Sequence, residues 1–322
     1  MWIDTYHQEA EMTLHFGWRT PDFPVDGSPT QAFIDQHYAV LNEIQGRFDS
    51  VWVADHFQPW MGSMDQSTDT FECLTTLIYL CAKYPPLKFG TIVMSQSYRP
   101  PALLAKMVAN LQVLSGGRFI LGLGAGWKED EYRAYGYDFP SAAVRIQQLE
   151  EAVQIIRGMW NQPRTTFQGK YYHVTDAICQ PKPDPVPPIM IGGSGRKLTL
   201  RVVAKYADWW NGVGMSPAQY QDALAALAGH CQAIGRDPAS IVKTLSIDCV
   251  SVAPTHELAL QAAKSSRFYN EESGIIGTPD EVSSKLDEYT QLGVEHFILR
   301  FVDFPRLDGI DLFINEVMPR YR

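Results

Sequence analysis

The amino-acid sequence predicts an α/β protein folded as a (β/α)8 TIM barrel with small insertions, and three observations predict it. Eight short apolar runs alternate with amphipathic stretches along 322 residues, and such alternation gives a parallel sheet covered by helices. No repeat or low-complexity linker breaks the series, so a single domain over 1–322 is expected. Glycine-rich segments follow two of the apolar runs, where α/β proteins place ligands. A doubly wound open sheet is the runner-up.

Taken in order, residues 1–10 read as a surface extension and 12–17 (MTLHFG) as the first strand. A Pro- and Gly-rich loop over 21–29 leads to a helix whose apolar face carries Phe33, Ile34, His37, Leu41 and Ile44. The second strand is 50–54, followed by a loop over 58–69 and a helix over 70–83. The third strand is 88–94, and Pro100-Pro101 suits the helix start after it. The fourth is Phe119 to Leu123, and a long amphipathic helix covers 142–160. Residues 164–175 read as an inserted hairpin, and the proline-rich 181–188 as extended. The remaining strands are 189–191, 208–213, 242–252 and 296–302. Helices are expected after 196, over 217–234 and 256–268, from Thr278-Pro279 onward, and over 309–318, with a loop at 269–277.

Composition narrows the function classes. Asp and Glu outnumber Lys and Arg, 36 to 27, for a net charge of −9, which disfavours a nucleic-acid partner. Five scattered cysteines without a CxxC pair read as reduced thiols of a cytoplasmic protein. The longest apolar stretch, near 73–82, is too short to span a bilayer, and no apolar leader is read at the N-terminus.

The stretch around which the chain is organised is 116–136, GGRFILGLGAGWKEDEYRAYG. Strand, glycine loop and acidic helix start follow one another there, as at a ligand site or at a tight turn that only needs small residues. It lacks the glycine that completes a dinucleotide fingerprint, because Trp127 stands at the sixth place, and no GxxxxGK[ST] loop is present. The second signal is Gly192–Arg196, where backbone N–H groups, a helix N-terminus, Ser194 and Arg196 suit a phosphate. A plain turn is the alternative, and the GxSxG nucleophile elbow fails at Arg196.

The third signal is His56 after Asp55, at a strand's C-terminal end, where a histidine can exchange protons near neutrality. A satisfied core histidine is the competing reading, with Asp55 a turn cap. The other histidines do not cluster and HExxH is absent, so no metal site is expected. No strand-end lysine for a Schiff base and no strand-end carboxylate pair is read. What remains is a phosphate-type loop, one histidine and several tryptophans, so a cofactor is expected to bring the chemistry.

At this point VWVADHF (51–57), GTIVMSQSYRPPALLAKM (90–107), the 116–136 stretch, PPIMIGGSGRKL (187–198) and GTPDEV (277–282) together resemble the luciferase-like flavin and deazaflavin oxidoreductases. The resemblance runs from Met12 to about Tyr321 and implies a (β/α)8 barrel. It implies His56 as the catalytic residue that handles a proton beside the reacting ring carbon. It further implies that Asp55, Val93, Ser95, Ala125, Gly126 and Tyr132 meet the cofactor, and that Gly193, Ser194, Gly195 and Arg196 hold its phosphate. A non-prolyl cis peptide at Ile92-Val93 is implied, with its bulge propping the ring. The chain departs from the sugar-phosphate dehydrogenases of this type, which carry a glutamate where Trp127 stands, so their substrate is not carried over. Coenzyme F420 is the expected cofactor, used for hydride transfer to or from a small organic molecule. FMN in an O2-using monooxygenase is the alternative, and a non-catalytic flavin-binding barrel is the alternative from another class. A homodimer is expected.

Overall fold

In a computed structural model, residues 13–62 and 64–322 are described, so the 1–10 extension and Met12 lie outside the described residues. The chain alternates strand and helix from the start: β1 (His15–Arg19), α1 (Thr30–Ile44), β2 (Ser50–Val53), α2 (Cys73–Lys83), β3 (Lys88–Thr91), β4 (Met94–Ser95) and α3 (Pro101–Ser115). Next come β5 (Phe119–Gly124), α4 (Glu129–Ala134), α5 (Ala142–Asn161), the hairpin of β6 (Thr165–Gln168) and β7 (His173–Ala177), β8 (Ile189–Gly192) and α6 (Thr199–Tyr206). The last part holds β9 (Trp209–Val213), α7 (Pro217–Ala233), β10 (Val242–Val252), α8 (His256–Ser265), β11 (Ile275–Gly277), α9 (Pro279–Thr290), β12 (His296–Phe301) and α10 (Asp308–Leu312).

Eight of these strands pair in parallel in the ring β1-β2-β3-β5-β8-β9-β10-β12, and β12 returns to β1 through His15↔His296 to Trp18↔Leu299. The sheet is therefore a closed barrel, not the open doubly wound alternative. The element ends are set by local chemistry. Glu72 accepts from the N–H groups of Leu74 and Thr75, so α2 starts at Cys73 rather than Thr70. Pro101 opens α3, and Gly116, at φ +67°, closes it in the left-handed conformation. Capping boxes start α7 (Ser216 with Gln219) and α9 (Thr278 with Glu281).

Three segments differ from the sequence expectation. The third strand, expected as continuous over 88–94, divides into β3 and β4 around a cis Ile92-Val93 peptide, the bond that the resemblance implies. The 269–277 loop ends in β11, which pairs with Val250–Val252 of β10. The last helix is short, passing after Leu312 into a π turn over 313–317. Isolated periodicity could not see the last two, because they follow from pairing and packing rather than from local propensity.

Helix faces and outer strand faces form the main core. A smaller cluster fills the barrel itself, with Trp52, Ala54, Ile92, Ile120, Met190 and Ile298. Trp52 lies across the interior because Gly17 and Gly90 leave it room; a Cβ at either would overlap its indole. Its Nε1 donates to Ser50 Oγ at 2.7 Å, and Ser50 Oγ meets His296 Nε2 at 2.9 Å. Burial, with the nearby His15, pushes His296 down to about 3, so it is a neutral core histidine. The N-terminal end of the barrel is thus plugged, and open space is left to the C-terminal end.

Candidate active site

A cavity of about 400 Å³ opens at the C-terminal ends of the barrel strands, within the range of small-molecule sites. Asp55 and His56 follow β2, and Val93 and Ser95 flank the break between β3 and β4. Gly124, Ala125 and Gly126 leave β5, and Gly192 and Gly193 leave β8; all line the cavity. The Val93 side chain stands over Gly124 and Gly192; an added Cβ there would come within 2.8 and 2.9 Å of its methyl groups. The bulge and the two glycine loops thus form one continuous wall.

His56 is held from behind by a buried carboxylate. Its Nδ1 lies 3.0 Å from Glu131 Oε2, and the Glu131 side chain has no exposed surface. Glu131 Oε2 also accepts from the Tyr98 hydroxyl at 3.0 Å, and Oε1 from the backbone N–H groups of Phe57 at 2.5 Å and Gln58 at 3.2 Å. Burial alone would raise the Glu131 carboxyl, but His56 and these donors outweigh it and hold it below the usual glutamate value. Burial and the Glu131 charge push Tyr98 upward, so its hydroxyl stays protonated and donates. An ionised acceptor at Nδ1 fixes the neutral imidazole as the Nδ1–H tautomer, which leaves Nε2 as the basic nitrogen. The ring lies between two tryptophans, 6.0 Å from Trp60 and 5.8 Å from Trp127, centroid to centroid.

Asp55 serves a different end. Arg99 grips both its oxygens at 3.0 Å each, and Oδ2 also accepts from the Ser95 N–H at 3.0 Å. Burial pushes the Asp55 carboxyl up against the pull of Arg99. The pair locks the Ser95 backbone to the end of β2. Ser95 Oγ shares a hydrogen bond with the Tyr132 hydroxyl. Tyr132 is wholly buried and stands behind Ser95 and Gly126 rather than on the cavity wall.

The Ser194 turn is contiguous with this cavity. Ser194 and Arg196 line a neighbouring recess of about 300 Å³, and Val213 belongs to both spaces. Gly193, at φ +123°, lies on the cavity side, and Gly195 is exposed at the turn. The Arg196 guanidinium pairs with Asp222 of α7, and its carbonyl oxygen accepts from His230 Nε2 at 2.7 Å. An anion here would meet backbone N–H groups and the Ser194 hydroxyl first, with Arg196 already engaged.

The sequence reading missed Glu131, Tyr98, Arg99, Arg19, Lys128 and Asp248. Lys128 is buried on the cavity wall, with Nζ 2.5 Å from Asp130 Oδ2. Arg19 ends β1, two residues beyond the first strand expected over 12–17. Asp248 lies inside a strand taken as regular, but the β10 register shifts between Ile247 and Val250, and Asp248 reaches the cavity. Nothing local marks Glu131 as His56's partner across 75 positions.

Comparison with known proteins places the chain in a family. A family model described as luciferase-like monooxygenase matches residues 36–274. The chain belongs to the luciferase-like monooxygenase family. Within reach of this luciferase-like chain is an F420-dependent glucose-6-phosphate dehydrogenase of Microbacterium testaceum, 29% identical over 88% of this chain and 92% of the relative. An F420-dependent hydroxymycolic acid dehydrogenase of Mycobacterium tuberculosis is 32% identical over 86% of this chain and 82% of its own. A solved F420-dependent secondary alcohol dehydrogenase in complex with an F420-acetone adduct superposes with a TM-score of 0.81, at 24% identity over 97% and 100% of the two chains. That last likeness bears on the fold alone. No helix among the described residues is long and apolar enough to cross a membrane.

Proposed function

We propose that this luciferase-like chain is an F420-dependent oxidoreductase that moves a hydride between the coenzyme and a small organic molecule. The observation that carries the reading is the pairing of His56 with Glu131 beside a wall of glycine backbone and Val93, contiguous with the Ser194 turn. The residues fit such a coenzyme. The apolar Val93 side chain and the glycine-rich, nearly side-chain-free wall of Gly124–Gly126 and Gly192–Gly193 leave room for a planar ring, and the recess beside Ser194, just before a helix, suits a phosphate. The F420 dependence of the named relatives supports the coenzyme choice.

When bound, F420 supplies the carbon that accepts or gives the hydride. The chain's own part is to hold, orient and exchange a proton. His56 Nε2, freed for basic work because Glu131 takes Nδ1–H, removes the hydroxyl proton of an alcohol or returns it to a carbonyl. Asp55 and Arg99 keep the Ser95 backbone in place. Trp60 and Trp127 flank His56 and limit how its ring can turn.

We also take the chain to be one luciferase-like barrel domain and to act as a homodimer. Leu103, Val113 and Leu114 of α3, with Ile78 and Tyr79 of α2, are exposed on two neighbouring helices, the kind of patch an isologous interface covers. Five free, buried cysteines fit a cytoplasmic location.

Equilibrium titration of the apoprotein with F420 and with FMN tests the coenzyme. Micromolar F420 binding with turnover is expected; micromolar FMN binding with no F420 binding would overturn the reading in favour of a flavin monooxygenase. His56→Ala is expected to bind F420 as wild type does and to lose turnover by about 10²–10⁴-fold, the usual weight of a positioned acid–base group. Wild-type turnover in that variant would remove His56 from the chemistry.

A further inference from the structure

Beside His56 the cavity carries a second polar constellation that the hydride-transfer reading does not use. Arg19, from the end of β1, and Asp248, from the irregular part of β10, both line the cavity. Arg19 Nη1 donates to Asp248 Oδ1 at 2.5 Å, and Arg300 Nε of β12 donates to the same oxygen at 3.2 Å. Arg300 Nη2 lies 3.6 Å from Asp22 Oδ2, which is an ion pair without a hydrogen bond. Asp22 spends its oxygens elsewhere, accepting from Trp60 Nε1 at 3.1 Å and from the Ala54 N–H at 3.3 Å. As a result Arg19 Nε and both terminal nitrogens of Arg300 are buried with no acceptor, although Arg19 is 7% and Arg300 2% exposed.

Buried guanidinium donors without acceptors are costly and uncommon. Here they sit together behind one wall of the cavity, which Arg19 itself lines. The Trp60 indole that binds Asp22 is the one packed 6.0 Å from His56. The rings of Trp60 and Phe268 lie over Arg300, 5.9 and 4.3 Å from its Cζ, and 5.7 Å from each other. Arg19 borders the cavity, and Arg300 lies behind it under the aromatic rings; a guanidinium at a cavity wall with a second one at its back is matched by a planar group with two acceptor oxygens.

We propose that Arg19 and Arg300 form a substrate subsite for a carboxylate, so that the molecule oxidised or reduced beside His56 is an organic acid. The carboxylate meets Arg19 from the cavity, and Arg300, behind Arg19 beneath Trp60 and Phe268, adds its positive charge. Asp22 and Asp248 hold the two guanidinium groups side by side at low net charge. The substrate's identity as a redox partner rests on the proposed oxidoreductase function; the subsite itself does not.

Calorimetric titration of cofactor-free protein with benzoate and with benzamide tests the subsite, since the two probes share shape and differ in charge and in acceptor count. Wild type is expected to bind benzoate at least about tenfold more tightly than benzamide, as charge-assisted pairs exceed neutral ones by that order. Arg19→Met is expected to abolish the preference, and Arg19→Lys to restore part of it. Arg300→Met is expected to act in the same direction, and if it does not fold Arg19→Met decides alone. Equal binding of the two probes by wild type, binding of neither, or an undiminished preference in Arg19→Met would overturn the proposal. F420 affinity is measured separately on the same variants and is expected to be unchanged. Because benzoate is titrated without coenzyme, a failure to bind F420 would strike the oxidoreductase reading and not the subsite.

Discussion

Replacing Glu131 by glutamine tests the core of the site, because it keeps shape and changes only which atom can accept. In the native protein the two oxygens take four donors: the Phe57 and Gln58 N–H groups at Oε1, and His56 Nδ1 and the Tyr98 hydroxyl at Oε2. The two backbone donors of Glu131→Gln can be satisfied only by the amide oxygen, so the NH2 group is forced against His56 and Tyr98. Two N–H groups cannot face each other, so His56 Nδ1 must become the acceptor and its proton moves to Nε2. The imidazole is then present in the same place with its basic nitrogen blocked. Turnover is expected to fall by about 10²–10⁴-fold, the weight of general acid–base catalysis, with F420 affinity within about twofold of wild type. Exchanging charge-assisted hydrogen bonds for neutral ones also costs about 2–4 kcal/mol of stability. Steady-state rates followed by deazaflavin absorbance, beside a urea unfolding curve, give both quantities. A folded Glu131→Gln enzyme with turnover within about threefold of wild type would refute the tautomer argument.

Three further outcomes follow. Gly126 has φ +78°, and a Cβ there would run into the Tyr132 hydroxyl and Ser95 Oγ. Gly126→Ala is therefore expected to lose about 2–4 kcal/mol from left-handed strain and overpacking together, and an unchanged melting temperature would contradict that. The folded carboxyls of Glu131 and Asp22 lie below their ordinary values, against burial that would raise them, because of His56 and its companions in one case and Arg300, Arg19 and His56 in the other. Unfolded, these groups bind protons more tightly, so the stability they supply is complete above pH about 4.5 and drains away as pH falls through the lower folded values. Asp55, raised by burial, works in the opposite sense. Urea midpoints between pH 3 and 7 should show the decline below about 4.5 and a shallower slope in Glu131→Gln; equal slopes would exclude Glu131 as a source. Leu114 is 85% exposed on α3, and Leu114→Glu is expected to turn a sedimenting dimer into a monomer, whereas a monomeric wild type would dispose of the homodimer.

The sequence by itself determined the order of strands and helices, because burial on both strand faces and along one helix face leaves periods of apolar residues. The starts of α3 and α9 could be read from Pro101 and Thr278 for the same local reason. It also singled out Asp55, His56, Gly124–Gly126 and Gly193 as candidates at recognisable strand ends, with a plain turn or a core histidine as the competing readings; all of them line the cavity. Only the tertiary structure decided how those loops work. Closure of β12 onto β1 brings Arg19 and Arg300 together across the chain's two ends, and the shifted register of β10 sets Asp248 between them. Glu131 meets His56, and Arg99 meets Asp55, over separations that no local pattern encodes. Hydrogen bonds and ion pairs act over about 3 Å in space, and distance along the chain carries no record of them until the barrel has closed.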